Sequence, residues 1–336
     1  MRADRGLAMN RGLLACLVCL LWVVAPYPVA AEPPSPATFS IVAADPEAHE
    51  VGVAVASRFF AVGTVVPHGT ADVGAVATQA YANTAYGPRG LDLLARGLEP
   101  EEVLEVLLRQ DPQREQRQVG VVSADGKSAT YTGPGCNSWA GGRHGPGYAV
   151  QGNILTGEEV VAGMEQAFLN TAGQPLARRL YAALVAGDTA GGDSRGKQSA
   201  ALIVKRAGAG YGGFTDQAID LRVDDHAEPI KELGRLLEIA LVNDLWNRGW
   251  NAFMEKRYPE ALHWQEETAK AAVGATVYPE VLYDLAVIRL ANDDREGALS
   301  ALATAIAANP RLKAQAMVDS DLDRIRSELQ KLPSFD

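Results

Sequence analysis

Several polar residues stand where they could handle a substrate. Arg58 and Arg89 lie in or just after strand-like segments, where a guanidinium can clamp a carboxylate through two parallel hydrogen bonds or close an internal ion pair. The run Gly191-Gly192-Asp193-Ser194-Arg195-Gly196 lacks the Gly-x4-Gly-Lys-Ser/Thr spacing of a phosphate-binding loop, so it reads as a tight loop presenting Asp193, Arg195 and the nearby Ser199. The Asn153 amide could donate to a developing oxyanion, or serve simply as a turn residue beside Gly152. Cys136 is either a second nucleophile or an inert buried thiol. Asp224-Asp225-His226 invites a metal reading, but adjacent side chains splay apart, and Asp225 fits better as a helix N-cap. Neither a metal nor a cofactor is expected.

The N-terminus carries Arg2, Arg5 and Arg11, then an apolar run from Leu13 to Ala25, then Pro26 to Ala31, which is the plan of a secretory leader. The run is shorter than the roughly 18 to 20 apolar residues of a membrane-spanning helix, so the reading is export to the periplasm or medium, with no integral membrane segment after processing. Val29-Ala30-Ala31 ends a leader of residues 1–31 and leaves a linker of 32–37; Ser35-Pro36-Ala37 is a second cleavable site, immediately before Thr38. Cys16 and Cys19 leave with the leader, so Cys136 remains alone and no internal disulfide can form. Loss of three arginines against Asp4 takes the formal charge from −10 to −12. Together with the absence of basic blocks, this argues against nucleic acid or anionic lipid as partner.

The elements that must position these residues follow from the pattern. Thr38–Ala44 and Val51–Ser57 read as a hairpin across Asp45-Pro46, and Val73–Gln79 as a third strand. Leucines at helical spacing mark Gly90–Leu98 and Pro100–Leu108. Gln118–Ser123 and Ser128–Thr132 pair through Asp125-Gly126. Helices at Gly157–Asn170 and Pro175–Ala186 precede strands at Ser199–Arg206 and Gln217–Val223. Strands in pairs and helices in pairs indicate antiparallel sheet covered by helices.

After His226 the chain reads as helix almost to its end, and its pattern repeats: Gly249, Ala261 and Thr268 correspond to Ala286, Ala298 and Ala305 at an offset of 37. With Leu282, Leu285, Leu302 and Pro310, these positions resemble tetratricopeptide repeats, which implies an all-α domain over 240–336 whose segment after Pro310 is a capping helix.

Seven ordered motifs carry a second resemblance: Thr38-Phe39-Ser40-Ile41-Val42-Ala43; Val53-Ala54-Val55-Ala56-Ser57-Arg58-Phe59; Ala77-Thr78-Gln79-Ala80-Tyr81-Ala82-Asn83; Tyr86-Gly87-Pro88-Arg89-Gly90; Gln151-Gly152-Asn153-Ile154-Leu155; Gly191 to Ser199; and Asp220 to His226. Residues 38–235 thus resemble the domain-of-unknown-function family 1028, placed in the Ntn-hydrolase superfamily. The resemblance implies an α+β fold, an αββα sandwich. It also implies that Thr38, freed by cleavage after Ala37, is the nucleophile with its own α-amine as base. An α-amine has an unperturbed pKa of about 8, which suits it to that task. The proteasome-like segment Val53–Arg58 carries Ala56 where its counterpart is acidic, and no lysine precedes Lys127; His68 is the candidate substitute.

Two functions follow as expectations. One is an exported Ntn-type amide hydrolase, with Thr38, Asn153 and His68 in catalysis and Arg58, Arg89, Asp193, Arg195 and Ser199 binding a small amide or peptide. The alternative is a non-catalytic envelope protein with a ligand-binding α/β domain, its ligand derived from peptidoglycan, for example, and helical repeats that recruit a protein partner. A homo-oligomer is compatible with either.

Overall fold

The computed structural model describes residues 38–331, so the expected leader, the linker, both cleavage sites, Cys16 and Cys19 lie outside the described residues. β1 (Thr38–Asp45) and β2 (Glu50–Ser57) form the expected hairpin, whose turn is held by the Asp45 carboxylate accepting from the Ala48 N–H at 3.1 Å. There follow β3 (Pro67–Thr70), β4 (Gly74–Ala80), α1 (Tyr86–Ala95), α2 (Pro100–Arg109), β5 (Arg117–Ser123), β6 (Ser128–Thr132), β7 (Gly141–Gly145) and β8 (Tyr148–Asn153). The α/β part is completed by α3 (Glu158–Asn170), α4 (Leu176–Thr189), β9 (Ser199–Lys205) and β10 (Gln217–Val223).

The strands form two antiparallel sheets, ordered β10-β9-β2-β1-β8-β7 and β3-β4-β5-β6. Alternation along β1 sorts its side chains: Phe39, Ile41 and Ala43 meet Met164, Phe168, Leu180 and Leu184 of α3 and α4. Val42 and Ala44 face the other way, onto Ala75, Ala77 and Val122 of the second sheet. That sheet turns Val76, Val119 and Val121 outward onto Leu94, Val103 and Leu107 of α1 and α2. The result is four layers, helix, sheet, sheet and helix.

Then come α5 (Pro229–Met254), α6 (Tyr258–Ala271), α7 (Tyr278–Ala291), α8 (Arg295–Ala308), α9 (Leu312–Ala316) and α10 (Arg326–Leu329), with successive long helices packed on one another. The small residues of the repeat pattern lie at those crossings: Ala261, Thr268, Ala286, Ala298 and Ala305 are all fully buried. The segment after Pro310 is not a single capping helix. It is α9, a 3-10 turn and α10, whose Leu312, Leu322, Ile325 and Leu329 close the helical core.

The expected junction between residues 235 and 240 falls inside α5, which runs unbroken. Its first half gives Ile230, Leu233 and Leu237 to the α/β core, and its second half packs Trp250 and Phe253 on the helical core. Gly234 in mid-helix permits the close approach of α4, since a Cβ there would lie 2.1 Å from the Tyr181 hydroxyl. No helix among the described residues is long and apolar enough to cross a membrane.

Candidate active site

Thr38 opens β1 and stands in register with Ser57 on β2 and Asn153 on β8, while Ser57 stands opposite Ser199 on β9. Asn153, Thr38, Ser57 and Ser199 therefore form a polar row across four adjacent strands at one end of the six-stranded sheet. Thr38 shares its face with Val42, so it points between the sheets, where its hydroxyl donates to that of Ser57 at 3.2 Å.

The second sheet answers with glutamines. Gln79 on β4 takes a 2.6 Å bond from the Ser40 hydroxyl, and its amide donates to Gln118 Oε1 at 2.8 Å and to the Thr38 carbonyl at 3.3 Å. Gln118 on β5 donates to the Gly152 carbonyl at 2.7 Å and to the Thr132 hydroxyl at 2.9 Å. Gln151 on β8 donates to Ser40 Oγ at 2.6 Å, and Asn153 donates to Gln118 Oε1 at 2.9 Å. Ser40, Gln79, Gln118 and Gln151 are fully buried and were not foreseen as site residues. Their signal was a polar residue at an inward position of a valine- and alanine-rich strand, the informative exception to apolar interiors. Gly120 makes the room: a Cβ there would lie 2.2 Å from Gln151 Oε1.

A charged node outside this network fixes the start of β5. Asp111 accepts from Arg117 Nε at 2.8 Å, the Tyr86 hydroxyl at 2.9 Å and the Asn83 amide at 3.1 Å. The Arg117 hydrogen bond, above all, holds the Asp111 carboxyl well below the usual carboxylate range, and burial first of all pushes the Tyr86 hydroxyl up. Since Arg117 adjoins Gln118, this node sets the position of the glutamine network.

Three of the expected binding residues come together at the end of β2. Asp193 accepts from the Arg58 N–H at 2.7 Å and pairs with Arg195 at 3.0 Å; the Arg58 guanidinium donates to the Arg195 carbonyl at 2.8 Å. The ion pair is thus that of Arg195 with Asp193, while Arg58 reaches Asp193 through its backbone N–H, and together these contacts tie the loop to the strand end. Ser199 likewise donates to the Phe59 carbonyl and accepts from the Val62 N–H at 3.1 Å. Arg89 is exposed on α1, in the outer helical layer and apart from the row.

His68 does not join Thr38. Its register partner on β4 is Val76, which faces α1 and α2, and its ring lies against Gly87 of α1. The second sheet thus separates it from the polar row. Burial, chiefly, lowers its pKa, and its Nε2 is buried without a partner among the described residues. Lysine is no better placed as a base, because Lys197 is held by Asp188 at 2.8 Å and Glu228 at 3.1 Å. Burial raises the pKa of Cys136, whose thiol donates to the Arg117 carbonyl at 3.4 Å, which disfavours the thiolate. Asp225 is not an N-cap, since α5 begins at Pro229 and Asp225 instead accepts from Gln198 at 3.2 Å. Among the described residues no cluster could hold a metal ion.

Comparison with known proteins agrees with this architecture. A family model described as "Family of unknown function (DUF1028)" matches residues 38–233. The chain belongs to the DUF1028 family. Its match to the crystal structure of protein SPO2555 from Silicibacter pomeroyi, itself described as DUF1028, has 32% identity and a TM-score of 0.55. That match covers 61% of this chain and 89% of the other. None of the curated proteins matches. The DUF1028 match begins at Thr38, spans every strand of both sheets and ends inside α5, so the remaining helices lie beyond it.

Proposed function

We propose that the protein is an exported amide hydrolase of the N-terminal-nucleophile type, acting on a small amide or peptide. The observation that carries this reading is the place of Thr38, at the head of a central strand with its hydroxyl turned between two sheets and the Asn153 amide on the neighbouring strand. The four-layer arrangement supports it. Cleavage between Ala37 and Thr38 supplies an α-amine that takes the hydroxyl proton as Oγ1 bonds to the substrate carbonyl carbon. Asn153 spends one amide N–H on Gln118, leaving the second for the oxyanion. Collapse breaks the C–N bond, and the leaving amine departs with the proton from the α-ammonium. Water, deprotonated by the same amine, then releases the acid and restores Thr38.

The second reading, a ligand-binding envelope protein without catalysis, is favoured by one observation: Arg58, Asp193 and Arg195 engage one another. In that reading the helical region, taken as two tetratricopeptide-like units and a closing segment, recruits a protein partner. One experiment separates the two. The N-terminus of the mature secreted protein is sequenced, and turnover of an amide panel is compared for the wild type and Thr38→Ala. The hydrolase requires Thr38 as first residue and loss of turnover in a variant that circular dichroism shows to be folded, since removing this buried hydroxyl from Ser57 costs about 1 kcal/mol of stability. A mature chain starting at Glu32 would sink it.

A further inference from the structure

One face of α5 repeats an unusual pair of residue types. Asn243, Asn247 and Asn251 succeed one another at four-residue spacing, with Trp246 and Trp250 beside them. Residues four apart share a helix face at about 6 Å, and these five border one cavity of 670 Å³, within the range of about 300–1,000 Å³ typical of small-molecule sites. Its far wall is Tyr211, 90% exposed on a loop where Gly208, Gly212 and Gly213 all have positive φ (66°, 69° and 79°). Asn251 anchors that loop by donating to the Gly208 carbonyl at 3.1 Å.

The chemistry on offer is specific. Both indole N–H groups donate to Asp284 Oδ2 at 2.8 Å, which locks the two rings and leaves them only carbon surface to present to the cavity. Among the described residues, the side-chain amides of Asn243 and Asn247 have no partner, and no lining residue is charged. Aromatic carbon faces beside planar amides suit a ring with apolar C–H faces and a rim of hydroxyls. The missing charge disfavours phosphates, carboxylates and amines. A proline-rich peptide also stacks on aromatic grooves, but here it would find no free indole N–H for its carbonyls.

We propose that this cleft binds an uncharged oligosaccharide, stacked on Tyr211 and the two indoles and hydrogen-bonded by Asn243 and Asn247. The site is independent of Thr38. The test is a titration of the full mature chain with maltotriose, cellotriose and triacetylchitotriose, followed by tryptophan emission and calorimetry, in the wild type, Tyr211→Ala, Asn247→Ala and Thr38→Ala. Tyr211 is exposed, so its removal leaves the core intact, and circular dichroism verifies the fold of each variant. At least one trisaccharide should bind saturably and weaken about tenfold or more in Tyr211→Ala and in Asn247→Ala, with Thr38→Ala unchanged. The proposal is overturned by no binding of any of the three, by binding insensitive to both variants, or by a proline-rich decapeptide occupying the cleft in their place.

Discussion

Arg206, just past β9, donates through its guanidinium to the carboxylate of Asp244 in mid-α5 at 2.6 Å. The same guanidinium bonds Glu50 at the head of β2, and Arg248 completes the ring at 2.9 Å from Asp244 and 3.1 Å from Glu50. Both carboxylates are buried. Two cations and two anions thus join the six-stranded sheet to the shared helix. α5 is consequently a structural member of both parts.

Removing one partner leaves buried charge uncompensated, so Arg206→Met should lower the unfolding free energy by about 3–5 kcal/mol, read from urea denaturation. A loss under about 1 kcal/mol would show that Arg248 alone satisfies both carboxylates. Residues 240–336 expressed alone should fold poorly, because that cut leaves α5 without its first half; a cooperative monomeric thermal transition would refute this.

Gln118 holds Gln79, Asn153, Thr132 and the Gly152 carbonyl in one network. Each buried group orphaned by its loss costs about 1–3 kcal/mol. Gln118→Leu should therefore destabilise the chain by several kcal/mol even though leucine suits a sheet interior. Gly120→Ala, which drives a Cβ into Gln151, should also destabilise it by thermal denaturation, and more than alanine does at Gly163, where a Cβ would meet nothing nearer than 3.6 Å. Equal effects at the two glycines would remove the packing argument.

Asp284, under the two indoles, is pushed up from 3.8 to about 6, chiefly by burial and against the pull of the indole N–H donors. Between those values the folded chain holds a proton that the unfolded chain has released. Its contribution to stability therefore falls as pH rises from about 4 to about 6 and is level above that. Tryptophan emission should titrate with a midpoint near 6, and Asp284→Asn should abolish the step. A step that persists in the variant would assign the titration to another group.

Much of the scaffold was legible in local pattern. The β1–β2 hairpin showed in its alternating, β-branched residues and turn, and α1 and α2 in their leucine spacing. The crossings of the later helices showed in Ala261, Ala286, Ala298 and Ala305. β3, β7 and β8 escaped, the last two for identifiable reasons. β7 is Gly141-Gly142-Arg143-His144-Gly145, with no apolar face, and β8 turns Gln151 and Asn153 inward, which reads as a turn beside Gly152. α5 looked divisible because its first and second halves bury against different cores.

The sequence by itself determined the local periods, the small residues at helix crossings and the ordered motifs that mark the DUF1028 family. The tertiary structure alone decided which polar residues meet. Ser40 and Gln151 are 111 positions apart, and Gln79 and Gln118 are 39 apart. Their burial is tolerable only because neighbouring strands and the facing sheet together supply each donor with an acceptor, and such partners leave no trace in local spacing. His68 shows the converse: a chain distance that suits a base does not reveal that a sheet will stand between it and Thr38.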